Sequence, residues 1–103
     1  MMGSQKTVFS FEHEALRFVL DQDSLQNLAR LAASEWQLGP EDVIEAAKRL
    51  AGAGLVRLYR EGGTDVDLAG LSPADLDSPM PIWLEPTEKT IPELNRITAA
   101  APH

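Results

Sequence analysis

The sequence predicts an α+β fold: a three-helix core, a two-stranded β ribbon and a C-terminal helix. Three observations carry this. Two apolar-striped segments, residues 24–36 and 40–52, flank the turn Gln37-Leu38-Gly39-Pro40, whose glycine and proline punctuate helices. A β-prone run, residues 55–60, follows the second segment, and residues 82–85 supply a return strand. A last amphipathic stretch covers 90–100.

These elements make one domain, residues 10–103, behind a flexible leader over residues 1–9. A chain of 103 residues can bury a modest core without metals or cross-links. Its content, 44% hydrophobic and 24% charged, excludes an intrinsically disordered chain. No apolar run approaches the ~20 residues that a bilayer span needs, so no membrane is expected. Without a hydrophobic signal core, the expected location is the cytoplasm. The absence of cysteine excludes disulfides and thiolate metal sites, and it fits a reducing compartment.

The first helix is read over residues 11–22, with Ser10 as its N-cap. Phe11, Ala15 and Phe18 form its stripe, widened by Leu16, Val19 and Leu20. Glu12 and Glu14 lie in its first turn, where the helix dipole favours anions. Asp23 and Gln26 have the spacing of a capping box for the second helix. Its core stripe is Leu25, Leu28, Ala29, Ala32 and Trp36, and its small alanines let another helix approach closely.

Gly39 caps the third helix, Pro40 suits its first position, and Glu41 and Asp42 complement its positive end. Val43, Ala46, Ala47 and Leu50 form the inner stripe, with Ile44 and Ala51 beside it. The outer face is then Glu41, Asp42, Glu45, Lys48 and Arg49. Gly54 is the expected stop. Strand alternation places Arg57 and Tyr59 on one side of the ribbon and Leu58 and Arg60 on the other. Residues 61–81 form a long acidic connection containing a capped turn at Ser72-Pro73-Ala74-Asp75. Closely spaced prolines delay strand pairing until Ile82. Thr90 and Glu93 form a capping box around Pro92, and Ile91, Leu94 and Ile97 or Thr98 share a side of the last helix.

The order helix, helix, turn, helix, strand, loop, strand resembles a winged helix-turn-helix. Ala46, Ala47, Leu50, Gly54, Leu55 and Val56 are similar to the third helix and first wing strand of bacterial transcription regulators of that superfamily. The stretch from Trp83 to Lys89 looks like their return strand, without the glycine that follows it there. The resemblance covers residues 10–89. It implies a small DNA-binding transcriptional regulator whose third helix enters the major groove while residues 61–81 act as a wing. Carried onto this chain, the contacts to double-stranded DNA are Glu45, Lys48 and Arg49 on the third helix, with Arg57 and Arg60 on the wing strand. A homodimer through the first and last helices is expected. Trp36, Trp83, Ile91 and Leu94 are the candidate partner-interface residues, since tryptophan is over-represented at interface hot spots.

The charges argue against part of that reading. Nine basic residues face 16 acidic ones, for a net charge of −7, whereas DNA affinity depends on Lys and Arg displacing counterions. Between Arg60 and Lys89 the wing carries Glu61, Asp65, Asp67, Asp75 and Asp77 and no cation. The alternative is a winged-helix module that presents its acidic third helix and wing to a basic protein surface. Enzyme chemistry lacks its parts. There is no cysteine nucleophile, and His13 and His103 cannot make a triad or a metal cluster. Asp65, Asp67, Asp75 and Asp77 lack the spacing and closing glutamate of a calcium loop, so no metal or cofactor is expected.

Overall fold

The computed structural model describes residues 8–100, and side-chain packing over 11–97. The α+β class is observed. Four helices, α1 (Val8–Val19), α2 (Leu25–Glu35), α3 (Pro40–Gly52) and α4 (Thr90–Ala100), pack with one antiparallel ribbon, β1 (Val56–Arg60) and β2 (Ile82–Pro86). Residues 1–7 of the expected leader lie outside the described residues.

Helix α1 starts at Val8, so Ser10 lies within it rather than capping it. Its buried side is Phe11, Ala15, Leu16 and Val19. Phe18 sits at the edge of this stripe instead of its centre. Leu20 is 42% exposed because the helix ends at Val19 and the chain turns away through Gln22, at φ 54°.

The second helix is capped one residue later than expected. Ser24 Oγ accepts from the Asn27 amide at 3.1 Å, while Asp23 Oδ1 accepts from the Ser24 amide and from Asn27 Nδ2. Gln26 is thereby free of capping. It reaches across the molecule instead: its Nε2 donates to the carbonyls of Met80 (3.0 Å) and Asp75 (3.3 Å), and its Oε1 accepts from the Ile82 amide at 3.1 Å.

Helix α3 follows its sequence signals. The Gly39 amide donates to Asp42 Oδ2, Pro40 is the first helical residue, and Val43, Ile44, Ala46, Ala47 and Leu50 are buried. Its end is a Schellman motif. Gly54 takes φ 76°, its amide donates to the Ala51 carbonyl, and the Leu55 amide donates to the Leu50 carbonyl.

The ribbon pairs Arg57 with Glu85, Leu58 with Leu84 and Tyr59 with Trp83. Val56, Leu58, Ile82 and Leu84 point into the core, as two-residue alternation requires. Both outer edges carry a further bridge. Ser24 pairs with Trp83 beside β2, and Asp65 pairs with Tyr59 beside β1 after the glycine turn at 62–63.

Residues 61–81 do not project as an independent wing. They form two 3-10 turns, Leu68–Gly70 and Pro73–Asp77. The second is the capped turn expected at Ser72-Pro73-Ala74-Asp75, where the Ser72 amide donates to Asp75 Oδ2, and it packs against α2 and α3. Val66 and Leu71 are buried, and Leu68 and Leu76 pack against the same core. Apolar residues spaced through an otherwise acidic loop pull it onto the helices.

Helix α4 packs on α1. Thr90 is not a cap for Glu93. It is fully buried, and its hydroxyl donates to the Leu55 carbonyl at 2.6 Å while accepting from the Thr87 amide at 2.7 Å. Thr87 Oγ1 donates to the Gly54 carbonyl at 2.6 Å, so two hydroxyls bind the start of α4 to the α3–β1 turn. Glu93 turns instead to Arg96.

Candidate functional site

The outward strip of α3 is anionic. Glu41 and Glu45 are exposed, and Asp42 is half-buried and engaged at the helix start. Arg49 lies on this helix but faces Glu12 of α1: its Nε donates to Glu12 Oε2 at 2.6 Å, and Glu45 approaches at 3.8 Å. Lys48, half-buried, has no ion pair among the described residues.

The arginines of β1 are engaged in the same way. Arg57 Nε donates to Asp65 at 2.7 Å and its Nη1 to Glu85 at 2.9 Å, while its Nη2 donates to the Gly63 carbonyl at 2.8 Å. Those hydrogen bonds, Glu85 first and Asp65 second, raise the guanidinium pKa above its ordinary value. Arg60, on the opposite side of the strand, approaches Asp75 at 3.5 Å. Of the five proposed nucleic-acid contacts, Arg49, Arg57 and Arg60 are therefore held by carboxylates, Glu45 is itself an anion, and Lys48 stands alone. The carboxylate partners Glu12 and Asp75 were not legible as such, because each meets its arginine through tertiary packing. Glu85 follows from strand register once the pairing is known.

The outer face of the ribbon carries Arg57, Tyr59, Trp83 and Glu85, all half-buried. Arg57 lies 4.8 Å from the Tyr59 ring centroid. Trp83 Nε1 donates to Glu61 Oε1 at 3.1 Å. Trp36 belongs elsewhere: it packs edge-on to Phe11 at 5.8 Å, against the core. Among the proposed interface residues of α4, Leu94 is buried in this chain's own core and Ile91 is 56% exposed, so the two do not share a surface.

No protein-family model matches this sequence, and no curated protein matches it significantly. Among the described residues, no helix is long and apolar enough to cross a membrane, and no cluster of carboxylate or imidazole side chains is arranged to hold a metal ion.

Proposed function

We propose that this chain is a winged-helix interaction domain that docks a basic protein surface, and that it does not act as a DNA-binding regulator. The winged-helix reading is supported by three helices leading into an antiparallel ribbon with a short bridge beside β2. The observation that carries the functional reading is the pairing of Arg49, Arg57 and Arg60 with Glu12, Asp65, Glu85 and Asp75. A cation already hydrogen-bonded to a carboxylate releases few counterions when it meets a phosphate. Lys48 alone on α3 is too little charge to offset Glu41 and Glu45. The same anionic strip attracts a partner rich in lysine and arginine and sets its orientation.

The test is an anisotropy titration with a labelled 20-base-pair duplex in low salt, run beside an oligolysine titration followed by amide shifts. No duplex binding, with shifts at Glu41 and Glu45, is expected. Salt-sensitive duplex binding that is lost in Arg49→Ala and Arg57→Ala overturns the reading.

A further inference from the structure

We propose that the outer face of the β1–β2 ribbon is a docking surface for an arginine-bearing segment of another protein, with Trp83 as its anchor. This inference rests on the protein-interaction reading and assigns it a second contact surface, separate from α3. The face is an aromatic pair, Tyr59 opposite Trp83, ringed by three carboxylates, Glu61, Asp65 and Glu85, and one guanidinium, Arg57. Its two halves are unequal. On the Tyr59 side a cation is already seated: Arg57 lies over the ring, and Asp65 and Glu85 clamp its guanidinium. On the Trp83 side the carboxylate is present, since Glu61 holds the indole N–H, but among the described residues no cation lies over the ring.

Tryptophan is the best of the aromatic faces for a cation, and Glu61 beside it supplies the counter-charge. An incoming arginine stacked on Trp83 repeats the arrangement that Arg57 makes with Tyr59. The excess of carboxylates on the face selects a cationic segment and repels nucleic acid. The partner approaches the face and not a strand edge, because each edge already carries a bridge, Ser24 on β2 and Asp65 on β1. This separates the mode from strand addition.

The probe is an amidated peptide of alternating glycine and arginine, titrated into the isotopically labelled full chain. A control peptide carries citrulline in place of arginine. Saturable movement of the Trp83 indole N–H and the Tyr59 amide is expected with the arginine peptide alone. The dissociation constant read from the Tyr59 amide should rise about tenfold in Trp83→Ala, as for an aromatic anchor, and less in Glu61→Gln. Because Trp83→Ala removes packing, Glu61→Gln, which leaves the indole in place, is the second variant. An unmoved Trp83 indole with shifts confined to Glu41 and Glu45 overturns this proposal and leaves the interaction reading standing. A silent Trp83 and α3 together overturn both. Duplex DNA binding in a parallel titration overturns the interaction reading by itself.

Discussion

Arg49 of α3 is held against α1 by Glu12, whose carboxylate accepts its Nε at 2.6 Å across 37 residues of sequence. The contact removes from the outer strip of α3 the residue that a major-groove reading needs most. Arg49 is 48% exposed and Glu12 19% exposed, so solvent screens the pair and its stabilising effect is small. Replacing Arg49 with Ala is expected to cost less than ~1 kcal/mol in urea unfolding. It should leave a low-salt duplex titration unchanged. A measurable loss of duplex affinity on that substitution would show that the arginine is available to phosphate.

Thr90 carries more weight than any exposed ion pair. Its buried hydroxyl joins the Leu55 carbonyl to the Thr87 amide, and among the described residues no buried side-chain polar atom lacks a partner. Thr90→Val keeps the volume but leaves both backbone groups without that partner, at an expected cost of ~1–3 kcal/mol. Thr90→Ser retains the hydroxyl and should cost less. A Thr90→Ser midpoint as low as that of Thr90→Val would mean that the methyl contributes as much as the hydrogen bonds.

Gln26 works as a substitute strand. Its amide group pairs with the Met80 carbonyl and the Ile82 amide much as a neighbouring backbone would, closing the end of residues 61–81 onto α2. In Gln26→Ala the Ile82 amide loses its acceptor, so its hydrogen exchange should accelerate while that of Leu84, bonded to the Asp23 carbonyl, changes little. Uniform acceleration across β2 would indicate global destabilisation and refute the local role.

The helices and ribbon were legible because each rests on local signals. Pro40 and Asp42 start α3, Gly54 stops it, and the prolines before Ile82 delay β2. Two helix starts are ambiguous in the sequence for one reason. Asp23, Ser24, Gln26 and Asn27 offer more than one spacing that satisfies a helix start, and only the tertiary demand of Met80 and Ile82 for Gln26 selects Ser24 with Asn27. Thr90 carries the same ambiguity, since a threonine three residues before a glutamate suits either a cap or a tether. The acidic loop was legible in charge but not in path. Its fate rests on Val66, Leu68, Leu71 and Leu76, spaced too irregularly to register as an element. The proposed cations were legible as cations, but Glu12 of α1 and Asp75 of the 61–81 segment reach Arg49 and Arg60 through tertiary packing that no local pattern connects.

Two turns invite opposite substitutions. Gly54 holds φ 76° at the end of α3, with the Lys89 side chain 3.5 Å from where a Cβ would stand. Gly54→Ala should therefore destabilise by ~1–2 kcal/mol, the usual cost of a left-handed residue with a Cβ. Gln37 occupies the same region, at φ 58°. Gln37→Gly should relieve part of that strain and raise the thermal midpoint. If both substitutions move the midpoint in the same direction, backbone conformation does not govern these sites.

Acid dependence should be visible at Glu93. Its carboxylate accepts hydrogen bonds from Arg96, which hold its pKa below the ordinary glutamate value of 4.5. A pKa depressed in the fold means that the unfolded chain takes up the proton first as pH falls. The stabilisation is then fully present above the ordinary value and is lost as pH drops through the folded one. The gap in urea midpoint between the wild type and Glu93→Gln should accordingly be open at neutral pH and close under acid. In Arg96→Ala the Glu93 carboxyl should titrate higher, toward its ordinary value, as followed by its carbon-13 shift. A Glu93 titration that Arg96→Ala leaves unmoved would assign the depression to some other donor and detach this pair from the acid response.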